Sequence, residues 1–273
     1  MAQSYETIET RIDGRIGVLT LNRPQVLNAI NRTLMAEVTA AMGAFIADPK
    51  VLAIVLNGNG RAFCAGFDMK ESAQRPVPTV EQWREILGDD FDFLIQFWDC
   101  PKPTIAAVHG FALAGGCEMT LSCDITIAAE GTRFGEPEPR FGSGVIALLL
   151  PWLTTPKFAK EMLLTGSDQI DAQRALAMGL VNYVVPPGSE FEKAMQIARD
   201  IAAAAPSSVQ LTKRAINRSY EIMGMRQALL AGVDTDVLIE SAGGPERAEF
   251  NRLRREQGLK AALAWRDAKF SGQ

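Results

Sequence analysis

Three short apolar runs constrain this chain more than any other feature: L-A-I-V-L-N at 52–57, T-I-A-A-V at 104–108 and D-I-T-I-A-A at 124–129. None alternates apolar with polar, and each is bounded by Gly, Pro or Asn, the pattern of a strand buried on both faces. Such strands need helices above and below them, and helical stretches separate the runs. Asn31 is placed to cap a helix reaching about Ala47, with Leu34, Val38, Ala41, Met42 and Phe45 on one face. Val80 to Trp98 carries Trp83, Ile86, Leu87, Phe91, Leu94, Ile95 and Trp98 near helical spacing, a row that reads as helix packing. Strands separated by helices predict an α/β core with parallel pairing. Residues 4–12 and 15–21 alternate and meet over Asp13-Gly14, which reads as a hairpin. Residues 72–79, with Pro76 and Pro78, read as a loop, and 110–116 as a glycine-bearing turn. From about Phe191 the pattern is almost wholly helical, interrupted by Pro206 and divided by Gly243-Gly244-Pro245. The expected organisation is an α/β core over 1–195 that carries the site, followed by a helical region over 196–273.

Composition removes whole classes of function. A chain of 273 residues can bury a core without disulfide or metal staples, and 47% hydrophobic with 22% charged residues excludes disordered, collagen-like and coiled-coil readings. The net charge of −4 leaves no basic excess with which to displace counterions from a nucleic acid. His109 is the only histidine, and Cys64, Cys100, Cys117 and Cys123 never form C-x-x-C, so no metal site is expected. A Ser-His-Asp triad would have to use His109 and lacks a G-x-S-x-G turn; His109 reads instead as a hydrogen-bonding residue. Acid–base chemistry therefore falls to Asp and Glu. The N-terminus shows neither a secretory nor a transit pattern, and the apolar stretch Gly144–Leu153 is too short for a membrane span and is broken by Pro151. Cysteines without framework spacing fit a reducing cytoplasm.

Two segments share one plan of buried strand, glycine turn and helix: I-V-L-N-G-N-G-R-A-F-C-A-G-F-D-M-K (54–70) and T-I-A-A-V-H-G-F-A-L-A-G-G-C-E-M (104–119). Glycine lets backbone approach a ligand, and the first turn of a helix presents unpaired N–H groups. Two such turns side by side can aim two amides at one oxygen, as an oxyanion hole does. The same glycines also serve ordinary tight turns, and G-N-G-R-A-F departs from a dinucleotide fingerprint at Phe63. Glu118 follows Gly115-Gly116 in a short apolar helix, where its carboxylate either points into a cavity or complements the helix N-terminus. Glu138 lies between two prolines in F-G-E-P-E-P-R-F-G (134–142). So stiff a loop suits a positioned acid, while Glu136 and Glu138 read equally as solvated loop charges paired with Arg140. Desolvation would make either one a general acid near neutrality.

R-A-F-C-A-G-F-D-M-K and A-V-H-G-F-A-L-A-G-G-C-E-M-T-L-S-C-D, with N-R-P at 22–24 and L-N-A at 27–29, resemble the crotonase superfamily of enoyl-CoA hydratases and isomerases, end to end. The resemblance implies a crotonase-like ββα spiral core and a C-terminal all-helical region that mediates trimers, often paired into hexamers. It implies an oxyanion hole from the backbone amides of Phe67 and Gly115, gripping the thioester oxygen of an acyl-CoA, with the Phe67 side chain narrowing the acyl pocket. Lys70, Ala65 and Leu27 would contact CoA, and Asp68 would be structural. Glu118 would hold and deprotonate the water that attacks C3, and Glu138 would protonate C2. CoA belongs to the substrate, so no cofactor is implied. The segment P-R-F-G-S-G-V-I-A-L-L-L (139–150) departs from the family pattern, with Ile146 where glycine is usual; Arg140 beside the acid would neutralise Glu138 or bind a carboxylate on the acyl group. The expected activity is hydration of a 2-enoyl-CoA. Double-bond isomerisation, carnitinyl-type dehydration and hydrolysis are its rivals, beside a non-catalytic acyl-CoA-binding subunit.

Overall fold

The computed structural model describes residues 5–270; residues 1–4, with the start of the expected hairpin and of the N-terminal pattern, and 271–273, the end of the expected helical region, lie outside them. In chain order the strands are β1 (Ile8–Asp13), β2 (Ile16–Leu21), β3 (Ala53–Gly58), β4 (Thr104–Val108), β5 (Phe111–Leu113), β6 (Ile125–Ala129), β7 (Arg133–Gly135), β8 (Ile170–Asp171) and β9 (Tyr183–Val185). The helices are α1 (Arg32–Ala47), α2 (Met69–Ala73), α3 (Val80–Asp99), α4 (Gly115–Ser122), α5 (Leu150–Leu153), α6 (Pro156–Thr165), α7 (Ala172–Ala177), α8 (Glu190–Ala203), α9 (Pro206–Ile222), α10 (Met225–Ala242), α11 (Pro245–Gln257) and α12 (Leu259–Ala268).

The continuous apolar runs have a direct cause. They form a six-stranded sheet in the order β1-β2-β3-β4-β6-β9, antiparallel at the first pair and parallel throughout the rest. Leu19, Leu21, Ile54, Leu56, Ala106 and Val108 face the main core. Ile16, Val18, Ala53, Val55, Ile105, Ala107 and Ile127 face Ala194, Met195 and Ala198 of α8, which covers the opposite side and runs through residue 195. Burial on both faces is why no alternation is visible.

A second, three-stranded sheet runs β5-β7-β8, and Cys64 adds a bridge to Ala112 at its edge. Each turn of the chain therefore supplies one piece to each sheet: β3 then Cys64, β4 then β5, β6 then β7. This is the expected α/β spiral. The ββα turns implied by the resemblance account for this second sheet, which the apolar pattern by itself did not show. The segment 110–116 is not simply a turn but contains β5, and β5, β7, β8 and β9 are too short for a period-of-two pattern to show.

Capping follows the sequence: the Asn31 side chain accepts from the Leu34 amide at 2.9 Å and starts α1. Pro206 interrupts the helical stretch as expected: α8 ends at Ala203 and Pro206 opens α9, in the first turn, where its missing N–H costs nothing. Gly258 divides the last helical stretch into α11 and α12. These two helices lie on the core near the end of β7, where Phe250 stacks on Phe141 at 4.9 Å between ring centroids. Among the described residues no helix is long and apolar enough to cross a membrane.

Candidate active site

The first glycine turn is held from below by Asn28. This residue is fully buried in a left-handed conformation (φ 56°), and its Nδ2 donates to the carbonyls of Asn59, Ala62 and Phe63 at 2.9, 2.9 and 3.1 Å. Leu27 (φ 54°) accepts from the Ala65 amide at 3.0 Å, so these two predicted residues meet. Ile30 pairs with Phe67 as an isolated bridge, taking the Gly66 carbonyl and giving its own to the Asp68 amide, each at 2.8 Å. The Phe67 amide faces the other way. Asp68 caps α2 and is tied to Arg23 at 3.0 Å, a structural role as expected, and Lys70 beside it is exposed.

The second turn lies directly against the first. A Cβ on Gly66 (φ +90°) would fall 2.6 Å from the Ala114 Cβ, and one on Gly115 would fall 2.6 Å from the Phe67 ring. Only glycine permits this approach at either position. Ala114 sits at φ 55°, ψ −134°, a strained conformation for a residue with a side chain, and it opens α4 without a side-chain cap. Gly115 is thus the first residue of a helix whose leading amides have no capping partner. Neither the Phe67 nor the Gly115 amide has an acceptor among the described residues. An unpaired amide is rare where the backbone is buried, as it is at Gly115.

The acids gather at the same end of α4. Glu118 is 2% exposed, and its Oε1 accepts from the Ala147 amide at 2.5 Å. Burial pushes its carboxyl up to about 8; the Ala147 amide opposes this, while Asp236 and Asp90 add to it. Glu138 begins a short 3-10 turn, Glu138–Phe141, that follows β7, and its Oε2 is buried without a partner. Burial first and the Glu118 charge second raise it well above the ordinary carboxylate range. The departing segment therefore orients Glu118 through its backbone at Ala147.

Arg140 does not meet Glu138. It pairs with Asp168 at 3.2 Å, and its guanidinium lies over Phe270. The reading of Glu136 and Glu138 as solvated charges paired with Arg140 is thereby overturned, since both glutamates are buried. His109 accepts or donates through Nε2 at the Gly60 carbonyl, 3.0 Å away, as a hydrogen-bonding residue should.

Of two further residues at this end, Asp236 was not singled out by its sequence context and Glu136 was read only as one of two loop acids. Glu136 is completely buried and neither carboxyl oxygen meets an N–H. Asp236, on α10, is 2% exposed and lies so close to the 143–145 backbone that a Cβ on Gly144 would fall 2.0 Å from its Oδ1. Burial and Glu240 push its carboxyl up to about 7. Among the described residues no group of three or more His, Cys, Asp or Glu side chains is placed to hold a metal ion. A cavity of about 380 Å³ lies at the far end of α4, lined by Leu121, Cys123 and α9; its Lys213 is already engaged by Asp124 at 2.7 Å, and it contains none of these glutamates.

A family model described as enoyl-CoA hydratase/isomerase matches residues 11–237. The crystal structure of an enoyl-CoA hydratase/isomerase from Xanthobacter autotrophicus Py2 superposes with a TM-score of 0.95 at 46% identity, covering 97% of this chain and 99% of that one. A probable enoyl-CoA hydratase of Rhizobium meliloti is 39% identical over 90% of this chain and 98% of its own length. A short-chain-enoyl-CoA hydratase of Clostridium acetobutylicum is 40% identical over 77% of this chain and 80% of its own.

Proposed function

The chain belongs to the enoyl-CoA hydratase/isomerase family of the crotonase superfamily, and from that premise we propose how its residues add water across the C2=C3 bond of a 2-enoyl-CoA. It is a hydratase-type enzyme, a hydro-lyase acting on acyl-CoA thioesters in fatty-acid metabolism.

The Phe67 and Gly115 amides receive the thioester oxygen, so charge leaving C2 is carried as an enolate rather than a free carbanion. A preorganised donor of this kind contributes about 3 kcal/mol to the transition state. Glu118, ionised, takes a proton from water as the oxygen bonds to C3. The C2=C3 electron pair moves onto the C1 oxygen and returns to C2 as Glu138 delivers its proton there. The product is a 3-hydroxyacyl-CoA; Glu118 leaves protonated, Glu138 leaves ionised, and proton exchange restores both. Lys70, Ala65 and Leu27 line the approach for CoA, Lys70 offering an exposed cation to its phosphates. The reaction needs no cofactor. We place the enzyme in the cytoplasm as a trimer or a dimer of trimers, with a 1–195 core carrying the site and 196–273 associating.

One observation supports this reading: Glu118 and Glu138 are buried, and Glu118 stands in the first turn of the helix that Gly115 opens, where the Gly115 and Phe67 amides have no acceptor. Glu118→Gln and Glu138→Gln are each expected to lower kcat for crotonyl-CoA hydration by on the order of 10²–10⁴-fold, with CoA-thioester affinity held within a few-fold. Enoyl absorbance reports the rate. Near-normal turnover in both variants would end the two-carboxylate mechanism, and turnover only of a 3-enoyl-CoA would assign the isomerase reaction instead.

A further inference from the structure

The hydration chemistry above uses two buried carboxyls, and a third beside them has no role in it. Glu136 leaves β7 with its amide bound to the Ser167 carbonyl at 3.1 Å. The strand packs so closely on that segment that a Cβ on Gly135 would fall 2.3 Å from the Asp168 Cα. The Glu136 side chain is fully buried, and no N–H reaches either of its oxygens. Glu138, two residues on, likewise has its Oε2 buried without a partner, and Glu138 and Cys117 are the neighbours that bear on the Glu136 carboxyl.

These contacts decide its protonation. An ionised carboxylate here would be buried without a donor or a cation, at a cost of several kcal/mol. The groups facing it are Glu138 from its own loop and Glu118 and Cys117 from α4. The neighbouring Asp168 is taken up by Arg140 and Arg266, at 3.2 and 3.4 Å. None of them supplies a positive charge. A neutral carboxylic acid must in turn place its O–H on an acceptor. Cys117 sulfur is a weak one, which leaves the Glu138 carboxyl.

We propose that Glu136 is a neutral, buried carboxylic acid whose O–H is donated to Glu138, fixing that side chain and stabilising the charge Glu138 acquires when it passes its proton to C2. Glu136 is thus a positioning residue: it touches no substrate and keeps its own proton through the cycle. The inference rests on the assignment of Glu138 as the C2 acid. It also accounts for a reactive acid with no cation bonded to it, because the charge formed in turnover meets a hydrogen-bond donor that is itself uncharged until then.

The test uses the full-length enzyme with crotonyl-CoA. Glu136→Gln keeps a donor of the same length and is expected to hold kcat within about threefold of wild type. Glu136→Leu fills the space without a donor and is expected to lower kcat on the order of 10²-fold with KM within about twofold. Infrared difference spectra of wild type against Glu136→Gln at pH 8 should contain a protonated-carboxyl C=O stretch present only in wild type. Absence of that band, or a Glu136→Leu enzyme as fast as wild type, overturns the proposal. If Glu136→Leu does not fold, the infrared band and the Gln variant still decide. Full turnover by Glu138→Gln would instead remove the C2-acid assignment, and the infrared band would stand or fall independently of it.

Discussion

Glu118 and Glu138 are of one residue type and must perform opposite duties in the same cycle. Glu118 must be ionised to take a proton from water, yet burial lifts its carboxyl to about 8. Glu138 must be protonated, and burial together with the Glu118 charge holds it well above the ordinary range. Hydration therefore uses the state in which the less raised acid has lost its proton and the more raised one has kept it. The pair titrates as a coupled unit. The kcat/KM for hydration is expected to climb with pH toward about 8, as Glu118 ionises, and to fall only at higher pH as Glu138 loses its proton. A flat profile between pH 6 and 8, measured by stopped-flow absorbance with crotonyl-CoA, would remove Glu118 as the base. Both acids were legible in the sequence because each stands beside a distinctive backbone feature, Gly115-Gly116 in one case and flanking prolines in the other. Asp236 was not legible: it arrives from α10, far along the chain, and nothing local distinguishes it from any polar position on an amphipathic helix. Glu136 was visible, but sequence alone offered no way to know that the fold buries it completely.

At the scale of elements, the approach of α4 to the Phe67 segment makes the site, and small residues enforce it. Gly115→Ala would set a methyl 2.6 Å from the Phe67 ring and 3.3 Å from Ile30. The ring must move, and the Phe67 amide moves with it. We expect kcat to drop on the order of 10²-fold, the loss associated with one oxyanion donor, while far-UV circular dichroism stays unchanged because alanine suits the first turn of a helix. Unaltered kcat in a folded Gly115→Ala enzyme would show that this contact does not set the amide geometry. The same approach explains what the sequence revealed of the fold. Long elements carried their own signals: α1 through Asn31 and its apolar face, β4 through an uninterrupted buried run. The second sheet, which brings the two glycine turns together, consists of strands of two or three residues and a single bridge at Cys64. Such pairing is dictated by tertiary packing and leaves no period in the chain.

For the molecule as a whole, gathering so many acids in one place has a thermodynamic consequence. Glu118, Glu136, Glu138, Asp90 and Asp236 are all raised, burial being the first cause in each case. In the unfolded chain these groups lose their protons near pH 4, whereas the folded protein retains them to about 7 or 8, or beyond. Between those limits the folded state binds more protons than the unfolded one, so stability falls as pH rises. Each fully shifted group removes about 1.4 kcal/mol per pH unit across its window. Carboxylates elsewhere oppose the trend: Glu37, lowered by the Glu6 and Thr7 amides and the Thr7 hydroxyl, stabilises the fold above its unfolded value. The comparison that isolates the site is therefore wild type against Glu138→Gln. Glutamine occupies the same space and never ionises, so the variant is expected to melt higher than wild type at pH 8, with the gap narrowing steadily toward pH 4.5. Scanning calorimetry across that range gives the difference directly. A gap independent of pH would mean that Glu138 titrates as it does in the unfolded chain, which its burial among Glu118, Glu136 and Asp236 does not allow. Stability near neutrality is in this sense what the fold gives up to keep a proton donor in the cleft, the usual relation between an active site and its scaffold.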